Sequence, residues 1–149
     1  MMADHEGRLM DILLICADDH TPPALLAVNP GRGATVLCAP DAAQAAQWLY
    51  PDRRIEARAL YQEPRTRARL WRWMLKAGPE DETAELVKRR VIDTAVRLTQ
   101  VAKSDGETAL VAGPRLLRLV GFKLGAIGWR GGQLRGWRPG QTRRFSYGA

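Results

Sequence analysis

The chain has 149 residues, 46% of them apolar and 26% charged, a balance that suits one globular domain burying about 68–70% of its unfolded surface. No apolar run approaches the roughly 18–20 residues that cross a bilayer, and Ile12 to Ala17 is too short and too acidic at its flanks for a signal peptide. The formal charge of +7 lies in the last third, where Thr108 onward carries eight Lys/Arg and no Asp/Glu, against 15 basic and 16 acidic residues before it.

That asymmetry favours an anionic partner. The expected location is the cytoplasm, with no role in a membrane. Two cysteines, Cys16 and Cys38, make neither a disulfide framework nor, by their spacing, a zinc site.

Residues 1–10 read as a leader of mixed charge without a period, and 11–149 as one domain. "DILLICA" (Asp11–Ala17) is a continuous apolar run, the pattern of a strand buried on both faces. In "HTPPALLAV" Thr21 is placed to cap a helix with Pro22 at its first position. "NPGRGA" is turn chemistry, and "TVLCAP" (Thr35–Pro40) a second buried strand. Asp41 and Gln44 form a capping-box pattern at the head of "PDAAQAAQWLY". "IEARALY" (Ile55–Tyr61) alternates as a strand with one exposed face.

"PRTRARLWRWMLKAG" predicts a short helix with Leu70, Trp71, Met74 and Leu75 on its apolar stripe, ended by Gly78. The longest element is expected from Glu80 to Lys103, with Ala84, Val87, Val91, Ala95, Leu98 and Val101 at helical spacing. "SDGE" is a turn, "TALVAG" a third buried strand, and "PRLLRLVGFKLG" a helix. The Gly-, Arg- and Trp-rich tail offers one closing strand, "RRFSYG".

Strands alternating with helices predict an α/β fold of three layers, a mostly parallel central sheet with helices on both faces. Its working crevice should lie beyond the carboxyl ends of the strands, at Cys16-Ala17-Asp18, Cys38-Ala39-Pro40 and Gly113-Pro114.

The segments "LLICADDHT", "VLCAPDAAQAAQWL", "ALYQEP" and "ALVAGPRLLRLVGFKLGAIGWRGG" occur in an order that resembles the histidine phosphatase superfamily, the phosphoglycerate mutase-like fold, over roughly Asp11 to Tyr147. That resemblance implies a histidine nucleophile, two arginines and a second histidine on the phosphoryl oxygens, and a carboxylic acid for the leaving group. Carried over by position, Cys16 and Ala17 stand where an arginine and the nucleophile belong. Ala42 or Ala43 stands for the second arginine, Gly113 for the second histidine, and Glu63 matches the acid. The resemblance therefore implies a degenerate, catalytically inactive member, kept as a binding or regulatory module, with no cofactor and no metal.

Two other functions remain open from the residues. A phosphomonoester hydrolase could use His20, three residues beyond Ala17, as a relocated nucleophile with Glu63 as acid. A nucleic-acid module could use the tail, where Trp129, Arg130, Arg135, Trp137, Arg138, Arg143 and Arg144 interleave aromatics with positive charge. The helix opening at Pro114, with Gly113, Arg115 and Arg118, is a candidate anion seat, and the bland alternative puts both arginines on a solvated face. Cys16 and Cys38, at matching strand ends, suggest neighbouring thiols for a soft metal or redox site, or simply buried small residues. The expected partner is a protein or a small anionic ligand.

Overall fold

A computed structural model describes residues 9–26, 35–65, 83–131 and 136–148. Strand β1 (Met10–Cys16) is buried along both faces from Ile12 onward. A 3-10 turn, Pro23–Leu25, follows it. Next come β2 (Thr35–Cys38), a 3-10 turn at Pro40–Ala42, helix α1 (Ala43–Leu49), β3 (Arg54–Ala57) and a 3-10 turn at Ala59–Tyr61. Helix α2 (Ala84–Asp105), β4 (Glu107–Ala112), helix α3 (Pro114–Ala126), β5 (Arg130–Gly131) and β6 (Thr142–Tyr147) complete the order.

Among the described residues six strands form one sheet in the order β3-β2-β4-β1-β6-β5. β3, β2, β4 and β1 run parallel, and β6 pairs antiparallel with both β1 and β5. The register sets Cys16 beside Ala112 and Cys38 beside Val111. Helix α1 packs on β2 and β3, whereas α2 and α3 pack together over β4 and β1. Right-handed crossovers put these two groups on opposite faces of the sheet. The core between them holds Ile12, Leu14, Leu37, Leu98, Leu110, Leu116 and Leu117, all fully buried. Continuous apolar runs in the central strands follow from this double cover.

Several boundaries depart from the sequence pattern. Helix α2 starts at Ala84 rather than Glu80, because Thr83 takes the extended cap conformation and its hydroxyl accepts from Leu86 N at 3.3 Å. Its far end runs to Asp105 and closes on Gly106, whose left-handed φ of 84° the helix terminus requires. The strand expected over Ile55–Tyr61 ends at Ala57; the chain then turns so that Tyr61 is buried with its hydroxyl donating to Glu56 at 2.7 Å. The predicted helix over "PRTRARLWRWMLKAG" lies outside the described residues except at Pro64 and Arg65.

Candidate functional site

The carboxyl ends of β1, β2 and β4 meet the N-termini of α1 and α3 at one edge of the sheet, where an α/β crevice belongs. Each of those helices begins with free backbone N–H groups that need an acceptor. Neither helix has a side-chain cap from its own N-cap residue, Ala42 or Gly113. A carboxylate from a distant loop supplies the acceptor in both cases.

At α1, Asp19 Oδ1 accepts from Gln44 N at 2.9 Å and from Ala45 N at 3.1 Å. The capping box expected from Asp41 and Gln44 is not formed; Asp41 lies within the Pro40–Ala42 turn and its carbonyl accepts from Asp19 N at 2.8 Å. At α3, Glu63 Oε1 accepts from Leu116 N at 2.7 Å and Glu63 Oε2 from Arg115 N at 3.1 Å. In both helices the second and third residues donate, so the two carboxylates cap their helices in the same way. Negative charge there also suits the helix dipole.

The seat at α3 is tight. A Cβ on Gly113 would overlap Glu63 Cγ and Cδ, so the bare glycine leaves the volume that the carboxyl group fills. Burial pushes the Glu63 carboxyl above its usual range; the two amide bonds and the Arg115 charge pull it back down, and burial wins.

His20 is exposed, and its backbone N donates to Asp18 Oδ1 at 2.8 Å. Thr21 does not cap a helix: its hydroxyl accepts from Asp18 N at 2.9 Å, and Pro22 precedes the 3-10 turn. The loop after β1 is thus a self-bonded turn on Asp18.

Cys16 and Cys38 are free, buried thiols. The expected proximity is corrected by the sheet order: β4 runs between β1 and β2, and the register to Ala112 and Val111 turns the two thiols to opposite faces. Two strand spacings, about 9–10 Å, exceed disulfide reach. Burial, then the charges of Glu63 and Asp18, lift the Cys16 thiol to about 11. Burial, then Asp19 and Asp41, do the same for Cys38, to about 11. Both are protonated at neutral pH and poor nucleophiles or ligands. Among the described residues no group of three or more His, Cys, Asp or Glu could hold a metal ion.

Ala17 is buried at the end of β1, where its N donates to Ala112 O at 3.1 Å, and Ala43 opens α1, half-buried. Arg115 is half-buried beside Glu63, whereas Arg118 is exposed with its guanidinium 6.0 Å over the Phe122 ring.

The basic tail spends much of its chemistry internally. Trp129 is buried, Arg143 lies 4.5 Å over the Trp137 ring, and Arg144 pairs with Asp11 at 2.7 Å. Arg130 and Arg138 are exposed, and Arg135 lies outside the described residues. No described helix is long and apolar enough to cross a membrane.

No protein-family model matches the chain, and a comparison with curated protein sequences finds no significant match. Solved structures do match. The product of open reading frame Rv3214 of Mycobacterium tuberculosis superposes with a TM-score of 0.58 at 12% identity, over 92% of this chain and 90% of that one. The alpha-ribazole phosphatase of Shigella flexneri gives 0.52 at 14% identity, over 77% and 79% of the two chains. An Escherichia coli K-12 structure proposed as an alpha-ribazole-5'-P phosphatase gives 0.55 at 16% identity, over 77% and 79%. At such identities the likeness concerns the fold, and the chain therefore has the mostly parallel, phosphoglycerate mutase-like α/β fold that these phosphatase structures share.

Proposed function

We propose that this chain is a non-catalytic member of the histidine phosphatase superfamily, serving as a binding or regulatory module. The observation that carries this reading is the Glu63 carboxylate on the Arg115 and Leu116 amides. In a phosphatase crevice of this fold, amides at a helix N-terminus and fixed positive charge would receive phosphoryl oxygens. Here the protein's own carboxylate occupies that position and repels a second anion.

Among the described residues, the positions that the family resemblance points to offer no replacement chemistry. Cys16, Ala17, Ala43 and Gly113 bring neither an imidazole to attack phosphorus nor a guanidinium to stabilise its charge. An anion reaches α3 only by displacing Glu63, so phosphate binding is weak and depends on Arg115. The partner is a protein or a small anionic ligand, and no cofactor is needed.

One observation favours a second reading. Burial raises the Glu63 carboxyl, which is what a general acid requires. A hydrolase would then pair Glu63 with His20, brought inward by the loop after β1. Hydrolysis of a panel of phosphomonoesters, with and without divalent metal, separates the two readings. The non-catalytic reading expects no turnover above that of a His20→Ala control.

A further inference from the structure

We propose that Arg90 on α2 is the positioning residue for Glu63: it fixes the turn that delivers the Glu63 carboxyl to the amides at the start of α3, so that the crevice is held closed from α2. The inference deepens the reading above and rests on its Glu63–amide contact. One guanidinium nitrogen of Arg90, Nη1, donates to Leu60 O and to Gln62 O, both at 2.8 Å. The Gln62 carbonyl belongs to the planar peptide unit that enters Glu63, so a charge-assisted bond there restrains the Glu63 backbone directly. Between the two gripped carbonyls stands Tyr61, fully buried, whose hydroxyl donates to Glu56 at 2.7 Å. Glu56 in turn accepts from Arg97 at 2.7 Å. Arg90 and Arg97 lie about two helical turns apart on α2. One side of that helix therefore holds the turn twice, by its backbone and by its buried ring.

Glu63 needs such a hold because its own contact is finely balanced. Burial disfavours the ionised carboxyl, and the amides of Leu116 and Arg115 with the Arg115 charge only partly offset that. Ordering a glutamate side chain costs conformational entropy as well. The seat is also narrow, since the carboxyl group lies where a Cβ on Gly113 would be. A glutamate on a loosely held turn would exchange this seat for water. On a turn already clamped by Arg90, the backbone freedom is spent before the carboxyl docks, and the two amide bonds suffice. The clamp also has a definite chemistry. Two carbonyl oxygens converge on one nitrogen, which calls for a cationic donor carrying at least two N–H bonds.

The test is amide hydrogen exchange of the full chain, read by NMR at Arg115 and Leu116. Arg90→Met keeps the apolar stem and removes the donors, and should lower protection at these two amides by about tenfold or more. The Leu117 amide, which donates to Gly113 O at 3.1 Å, should change far less and serves as the internal control. Arg90→Lys should restore most of the protection, because an ammonium can serve both carbonyls. In a Glu63→Ala background the two amides have already lost their acceptor, and Arg90→Met should change their exchange no further. Arg90→Gln, too short to span both carbonyls, gives the same comparison if the methionine variant does not fold. Protection that survives loss of the Arg90 donors would overturn the inference and leave the Glu63 contact standing. So would an equal loss at Leu117, or a loss that persists without Glu63, since either would mean that Arg90 does not act through the carboxylate. Unprotected Arg115 and Leu116 amides in the wild type would overturn the contact itself, and with it both readings.

Discussion

The Glu63 carboxyl group occupies the space that any side chain at Gly113 would need, and it holds that space through hydrogen bonds to Leu116 N at 2.7 Å and Arg115 N at 3.1 Å. The glycine and the glutamate, separated by 50 positions, form one fitted pair. Gly113→Ala should therefore cost about 1–3 kcal/mol, by forcing Glu63 off two amides that are then left unsatisfied. In a Glu63→Ala background the same change should cost far less. Urea denaturation of the four proteins in this double-mutant cycle measures the coupling. Additive effects would mean that the two positions do not share the volume.

Two carboxyl groups should give stability opposite pH dependences. Glu63 is raised in the folded state by burial, so its contribution is fully present below the unfolded carboxylate pKa and is lost as pH rises through the folded one. The stability of the wild type relative to Glu63→Gln should accordingly fall from acid to neutral pH. Glu56 is lowered, first by its hydrogen bond from Arg97 at 2.7 Å, so its contribution is present at neutral pH and lost as pH falls through the folded pKa. Wild type relative to Glu56→Gln should lose stability on acidification. The Arg97–Glu56 pair is partly solvated, with 38% and 21% of the two side chains exposed, which keeps the effect under about 1 kcal/mol. Denaturation midpoints between pH 3 and pH 8 test both signs.

Asp19 should matter to a helix 25 residues away. Asp19→Ala removes the acceptor of the Gln44 and Ala45 amides and should cost about 1 kcal/mol, as loss of an N-cap does. Asp41→Ala, at the residue that the sequence pattern favours as the cap, should cost less. Thermal unfolding of the two variants side by side decides which residue caps α1.

Both thiols should be inert in the folded protein. With pKa values raised to about 11, Cys16 and Cys38 are protonated at neutral pH as well as buried. Iodoacetamide labelling followed by mass spectrometry should find neither modified until denaturant is added. Rapid labelling of the native protein would contradict this picture of the strand ends.

The layout was legible because it is written in local patterns. The runs at Ile12–Cys16, Val36–Cys38 and Ala109–Ala112 are apolar without interruption because helices cover both faces of the sheet. The stripe Val87, Val91, Ala95, Leu98 marked α2 for the same reason. The site was harder to read because its bonds are not local. Nothing near Gln44 points to Asp19, and nothing near Gly113 points to Glu63, since each cap arrives from a loop that only the tertiary fold brings close. Glu63 itself stood out by position, but as an acid for catalysis rather than as the group that fills the seat. The sequence also set Cys16 and Cys38 at equivalent strand ends, while the later insertion of β4 between their strands is a matter of topology that strand-end position does not encode.

The central claim is that this crevice is closed by its own carboxylate and performs no phosphoryl chemistry. The most direct test is hydrolysis of phosphomonoesters by highly purified protein, with and without divalent metal, beside His20→Ala prepared identically. The account expects no turnover, or a trace equal in the two proteins and so due to contamination. Turnover by the wild type that disappears in His20→Ala would contradict it and identify an enzyme with a relocated nucleophile.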